Sequence, residues 1–172
     1  MLLSTASYDD TPAFTLEPCV AKVLDVYDAD TVTVAIEVFP GRISRWQVRI
    51  IGVDCPEIRP KRGNPHRLLE KQAAIICRDA LIEYLTGLQV RGKMTRSKIR
   101  SILSASERLV RLEPKGFDKY GRVLADIKLP DNGMSAVNRL IGGGFARSYR
   151  GGTRSPWTEE ELTDIVRSRV AE

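Results

Sequence analysis

Apolar and polar residues alternate strictly in two stretches of the first third of the chain. Across Thr31–Val38, the residues Val32, Val34, Ile36 and Val38 share one parity, which is the period of a strand with one buried face. Across Arg45–Val53, Trp46, Val48 and Ile50 point one way and Gln47 and Arg49 the other. Pro40-Gly41 separates the two as a turn. Upstream, Cys19–Val26 reads as a further strand, ended by an acidic turn at Asp28. Three strands with short connections predict a meander.

The period changes after His66. Leu69, Ala73, Ile76, Cys77, Ala80, Leu81, Tyr84 and Leu85 recur three and four residues apart, with Glu70, Lys71, Arg78, Asp79 and Glu83 on the other side. This predicts an amphipathic helix over 66–86 that Gly87 ends. Leu88–Gly92 reads as a short strand. Leu109–Glu113 and Val123–Leu129 read as a hairpin joined by a loop over 114–121. Asp131-Asn132-Gly133 is a turn, and Ser135–Ile141 a short helix ended by Gly142-Gly143-Gly144. Thr158, followed by Glu159, Glu160 and Glu161, forms a capping box and an acidic first turn for a last helix. No segment repeats. The pattern predicts a β-rich α+β protein, a five-stranded OB-type barrel with about three helices. Its expected organisation is an N-terminal arm over 1–15, the barrel domain over 16–150 and a helical extension over 151–172. The order of strands around the barrel does not follow from the pattern.

Composition narrows the class without changing the fold. At 172 residues, 42% apolar and 28% charged, the chain resembles an ordinary globular domain rather than a disordered one. The net charge of +5 is uneven, because Thr158–Glu172 holds five acids and two bases. The remainder therefore has 25 bases and 17 acids, or +8, which suits a polyanionic partner and equally suits a basic protein with none. Three cysteines, Cys19, Cys55 and Cys77, in no CxxC spacing argue against a disulfide framework and a zinc site. A single histidine, His66, leaves no material for a histidine-based triad. The first residues lack a basic segment followed by an apolar one, and no run approaches the ~20 apolar residues of a membrane span. The expectation is an intracellular protein, cytoplasmic or nuclear, with no membrane partner.

The chemistry lies in the turns. Asp28-Ala29-Asp30-Thr31 opens one strand, and Asp54-Cys55-Pro56-Glu57 closes the strand stretch that carries Arg49. Asp118-Lys119-Tyr120-Gly121-Arg122 leads into another strand and adds a second arginine. Carboxylates at loop edges can hold a hard cation through oxygen. Guanidinium forks match phosphate oxygens and stay charged at any working pH. Singly, each acid also reads as turn capping and each arginine as a solvated or ion-paired strand face. A further basic run, Arg91, Lys93, Arg96, Lys98 and Arg100, contains no acid before Glu107. It reads either as a phosphate-tracking patch or as a solvated loop.

These three blocks, in this order, resemble the staphylococcal nuclease (thermonuclease-like) family, and the resemblance runs from about Val20 to Tyr149. It implies an OB-fold nuclease that hydrolyses phosphodiester bonds in DNA and/or RNA with Ca²⁺, or with Mg²⁺ or another divalent cation. By the resemblance, Asp30 and Asp54 are side-chain metal ligands and the backbone carbonyl of Cys55 a third. Glu57 positions or deprotonates the attacking water, and Arg49 and Arg122 grip the scissile phosphate. Tyr120 and Tyr149 pack on the nucleotide, while Lys93, Arg96 and Lys98 would add substrate contacts beyond the centre. Backbone-gripping arginines carry no base information, so little sequence specificity is expected. The chain departs from the family at Ala29, where a glycine is usual, and at Cys55, where a threonine is usual and a thiol would add oxidation sensitivity. A barrel of this type can also serve as a non-catalytic nucleic-acid or protein-binding module, although such a module has no need of all five charged residues. The acidic last helix is expected to pack on the basic surface or to join a second copy as a homo-oligomer.

Overall fold

Seven strands and four α-helices follow one another along the residues that the computed structural model describes, 2–90, 94–131 and 133–168. They are β1 (Cys19–Asp28), β2 (Thr31–Phe39), β3 (Arg42–Ile50), β4 (Val53–Asp54), α1 (Arg67–Thr86), α2 (Arg96–Ala105), β5 (Val110–Phe117), β6 (Val123–Lys128), α3 (Ala136–Gly142), β7 (Arg147–Ser148) and α4 (Glu159–Ser168). Five of the strands close into a barrel in the order β1-β2-β3-β6-β5, and β4 and β7 form a separate two-stranded sheet.

β1, β2 and β3 are the expected antiparallel meander, and β5 and β6 the expected hairpin. Closure needs two further seams. β1 pairs antiparallel with β5 through Ala21↔Val110, and β3 pairs parallel with β6 through Val48↔Val123. Alternation places one face of every strand inside, where Val32, Val34, Ile36, Val48, Ile50, Leu112 and Ile127 are fully buried. Side chains fill an interior of this size, so the barrel is a packed core and not a pore.

The helices extend that core. α1 contributes Cys77, Leu81 and Ile82, and ends where expected, on Gly87 in the left-handed region at φ 73°. α4 buries Leu162 and Ile165 on the side that meets α1. Its capping box is formed as read: Thr158 Oγ1 accepts from the Glu161 N–H at 3.2 Å, and the Glu161 carboxylate accepts from the Thr158 N–H at 2.8 Å. No described helix is long and apolar enough to cross a membrane.

Three readings of local structure are corrected. Residues 96–105 are a helix, α2, where the sequence suggested an open segment. Thr95 caps it by accepting from the Lys98 N–H, and Ile99 and Leu103 are buried beneath it. Basic residues crowd its other face and dilute the apolar period. Residues 88–90 form no strand, and the rest of that reading lies outside the described residues. The β5–β6 hairpin is longer than expected, because an irregularity between Pro114 and Gly116 lets β5 continue to Phe117. The β4–β7 sheet was not foreseen, since two-residue strands carry no period.

Candidate active site

Strand irregularity and register bring the charged turns to one end of the barrel. The β1–β2 ladder slips between Val23 and Asp25 and again between Val26 and Asp28. Such irregularities re-aim side chains, and here Asp25 and Asp28 are both buried. Asp30 follows in the turn, tied to β3 by the Ile50 N–H, which donates to its backbone oxygen at 2.8 Å. The pairing Thr31↔Arg49 lays Arg49 against this turn. The parallel β3–β6 seam starts at Val48↔Val123, one residue beyond Arg122. In the small sheet, Asp54 sits opposite Arg147. Ala29 is accommodated without strain, because no non-glycine residue has positive φ among the described residues.

Arginines thread the acids. Arg49 Nη1 is 2.5 Å from Asp30 Oδ2 and also donates to the backbone oxygens of Asp30 and Ile50, while Nη2 donates to Val53 O. Arg147 Nη2 is 2.9 Å from Asp54 Oδ2, and its guanidinium lies 4.0 Å from the centre of the Trp157 ring. Arg154 touches three acids at once: Glu57 Oε1 at 2.6 Å, Asp54 Oδ1 at 3.3 Å and Asp30 Oδ2 at 3.9 Å. The Glu57 N–H donates to Glu70 Oε1 at 3.1 Å, and the other oxygen of Glu70 accepts a short hydrogen bond from Asn64 Nδ2. This second layer holds the loop that carries Glu57.

Charge crowding perturbs the acids. Burial, the neighbouring Asp30 carboxylate and Glu57 push the Asp28 pKa up to about 8. Burial and Asp30 also raise Glu57, against the opposing pull of Arg154. Burial works against the charge of Arg154, but Asp30, Asp54 and Glu57 outweigh it and raise its pKa. Asp28 Oδ1 is buried with no hydrogen-bond partner among the described residues. An ionised carboxylate left in that state is costly, which is why burial and the neighbouring acids hold Asp28 toward its protonated form. A positive group beside it would favour ionisation. The donor set of Asp28, Asp30, Asp54 and Glu57 is all oxygen, the chemistry that a hard divalent cation takes. These residues therefore fit such an ion. Among the described residues no three of the acids form a ready-made ligand cage; Arg154 stands among them instead.

The predicted residues are placed unevenly. Asp30, Glu57 and Arg122 line one cavity of about 380 Å³ together with Asp28, Arg96 and Arg154. Asp54, Cys55 and Glu57 border an adjoining cleft of about 790 Å³ that runs to Trp157. Arg122 is half-buried and braced by Asp118 at 2.7 Å, whereas Arg49 has its donors committed to Asp30 and to backbone. Tyr120 is largely exposed, with Arg122 over its ring. Tyr149 donates its hydroxyl to Gly152 O at 2.6 Å and carries Arg154 over its ring. Arg96, together with Arg100, is bound to the buried Asp25, and Lys98 is exposed on α2. Lys93 lies outside the described residues. The Cys55 thiol is buried and its pKa lies well above the ordinary value, first through burial and then through Asp30. That is the state of an unreactive thiol, which corrects the expected oxidation sensitivity. Asp28, Arg147 and Arg154 are the members that sequence reasoning missed. For Asp28 the signal was its place two residues before Asp30; the two arginines gave none.

A closed five-stranded barrel with four helices, carrying acids and arginines at one end, defines a barrel of the OB type with a polar centre where its strands meet. The family model described as "Staphylococcal nuclease homologue" matches residues 47–168, well over half of the chain, and the protein belongs to that family. An uncharacterized protein of Methanocaldococcus jannaschii is 34% identical over 150 residues, an alignment covering 83% of this chain. The same alignment covers 66% of that relative, so this chain spans a little under two thirds of its length.

Proposed function

We propose that the protein is a nuclease that hydrolyses phosphodiester bonds in DNA and/or RNA with little sequence preference, using Ca²⁺ or a similar divalent cation. The observation that carries the proposal is the shared cavity, where carboxylates and a braced guanidinium face each other beside an unpartnered buried carboxylate oxygen. Asp30 and Asp54 would hold the cation, with the Cys55 carbonyl and Asp28 as further oxygens. When bound, the cation supplies Lewis-acid polarisation of a phosphoryl oxygen.

The chain's own residues account for the rest. A phosphorus centre under attack gains negative charge, so a fixed guanidinium aimed at it favours the transition state over the ground state. Arg122 lines the cavity with its Nε donating to Asp118 at 2.7 Å. Arg49 orients Asp30, and to grip a phosphate as well it must trade part of that contact. Glu57, its carboxyl made a stronger base by burial and by Asp30, would take the proton of an attacking water. Tyr120 and Tyr149 offer ring faces at the edge of the site, Arg96 lines the cavity while paired to Asp25, and Lys98 offers charge beyond it.

Arg154, paired to three acids, is the one observation that favours a second reading, a binding module whose acids are neutralised internally. One assay separates the two: incubation with single- and double-stranded DNA and RNA in Ca²⁺, Mg²⁺ or EDTA. Cleavage that EDTA abolishes is expected. Retention of nucleic acid without cleavage in any cation would establish the binding module, and full cleavage in EDTA would remove the metal from the mechanism.

A further inference from the structure

We propose that Arg154 is a resident counter-cation that competes with the divalent cation for the same carboxylates and so sets the cation concentration at which the site fills. The inference rests on the reading that these acids take a divalent cation. Its grounds are geometric. Arg154 is the described basic side chain that bridges Asp30, Asp54 and Glu57, and Asp28, which lines the same cavity as Asp30 and Glu57, buries its Oδ1 without a hydrogen-bond partner among the described residues. The guanidinium therefore neutralises part of the cluster without an ion pair to Asp28, so a smaller ion of double charge has something to gain.

The segment that delivers Arg154 links β7 to α4 outside the barrel, and Arg147 holds its far end by donating to Ser155 O at 2.8 Å. It leaves β7 at Ser148 and crosses Gly151 and Gly152, both at positive φ (96° and 94°), before Trp157 anchors it beside α4. Two adjacent glycines in that region let the backbone turn where other residues are strained. The ring of Tyr149 stacks against the guanidinium at 5.7 Å, and its hydroxyl is held by Gly152 O, so the arm is shaped to present Arg154 inward. Arg150, on the same arm, is exposed and makes no ion pair with these acids.

Calcium chloride titrated into the nucleic-acid-free protein, followed by calorimetry, tests the competition. Removing a cation that shares the ligands should tighten Ca²⁺ binding in Arg154→Ala. About tenfold is expected, a modest effect because the guanidinium is 36% exposed and solvent screens it. Arg150→Ala, which removes the same charge without the contact, should change affinity by less than about twofold. Arg154→Lys should fall between wild type and Arg154→Ala. A merely structural role predicts the opposite sign, because a loosened site binds more weakly. Hydrogen–deuterium exchange on the wild type adds a readout that needs no variant: Ca²⁺ should speed exchange over residues 151–156 while slowing it over 28–31. Affinity that is unchanged or weaker in Arg154→Ala, or slowed exchange over the arm, overturns the inference alone. Calcium that binds neither wild type nor variant overturns the metal half of the proposed function with it.

Discussion

Arg49 Nη1 lies 2.5 Å from Asp30 Oδ2, with both side chains 7% exposed. The two residues are 19 positions apart, and the β2–β3 register that pairs Thr31 with Arg49 brings them together. A buried pair of this kind is weak evidence for net stability, but removing one partner leaves an uncompensated charge. It also gives Asp30 a single orientation, which a ligand to a hard cation requires.

Arg49→Ala is accordingly expected to cost about 3–5 kcal/mol in urea unfolding performed in EDTA. A loss below about 1 kcal/mol would mean that the pair behaves like a surface contact and that Asp30 is held by the backbone alone.

Arg122 serves a different purpose, being half-buried, braced from outside and open to the cavity. Arg122→Lys keeps the charge and loses the fork. Turnover should fall by roughly 100- to 1,000-fold, the usual cost of one transition-state donor, with the circular dichroism spectrum and melting temperature preserved. Single-turnover kinetics on a short oligonucleotide make the measurement. Near-normal turnover would leave Arg122 as a partner of Asp118 only.

Asp25 gives a pH test away from the acid cluster. Burial alone would raise its pKa, but Arg100 and Arg96 bind it at 2.8 Å and hold it below the ordinary value. A folded-state pKa below the unfolded one means that the unfolded chain binds the proton more readily, so this stabilisation is present above about pH 4. It is lost as pH falls through the folded value. In Arg96→Ala/Arg100→Ala only burial remains, and the sign reverses: Asp25 then favours folding when protonated, and its contribution declines as pH rises. Urea midpoints between pH 3 and pH 7, each referred to an Asp25→Asn background, should show opposite slopes for the two proteins. Parallel slopes would mean that the two arginines do not hold Asp25.

Lys98 is the member of the basic run best suited to phosphate contact, since it is exposed on α2 and makes no ion pair among the described residues, unlike Arg96. Binding of long single strands in EDTA should lose about 0.7–0.9 of its log–log salt slope in Lys98→Ala. Dinucleotide cleavage should be unaffected. An unaltered slope would assign Lys98 to plain surface charge.

Periodicity by itself determined the meander, the long helix and the capped last helix. In each, neighbours in sequence are the neighbours that decide the structure: Val32, Val34 and Ile36 share a face because a strand repeats every two residues, and Thr158 caps Glu161 because they are three apart. The charged turns were legible as candidates for the same reason, since Asp30, Asp54 and Glu57 each announce themselves beside a strand end. Tertiary structure alone decided their partners. The register slips of β1 turn Asp28 and Asp25 inward, which no alternation can show. Two two-residue strands bring Arg147 within 2.9 Å of Asp54, across 93 positions of sequence. The arm beyond them carries Arg154 to Glu57 across 97. Contacts over such separations arise from the pairing of β4 with β7 beside the barrel and leave no repeating trace along the chain. A local pattern can therefore report which residues face inward, while which charge meets which is set by the geometry of the closed fold.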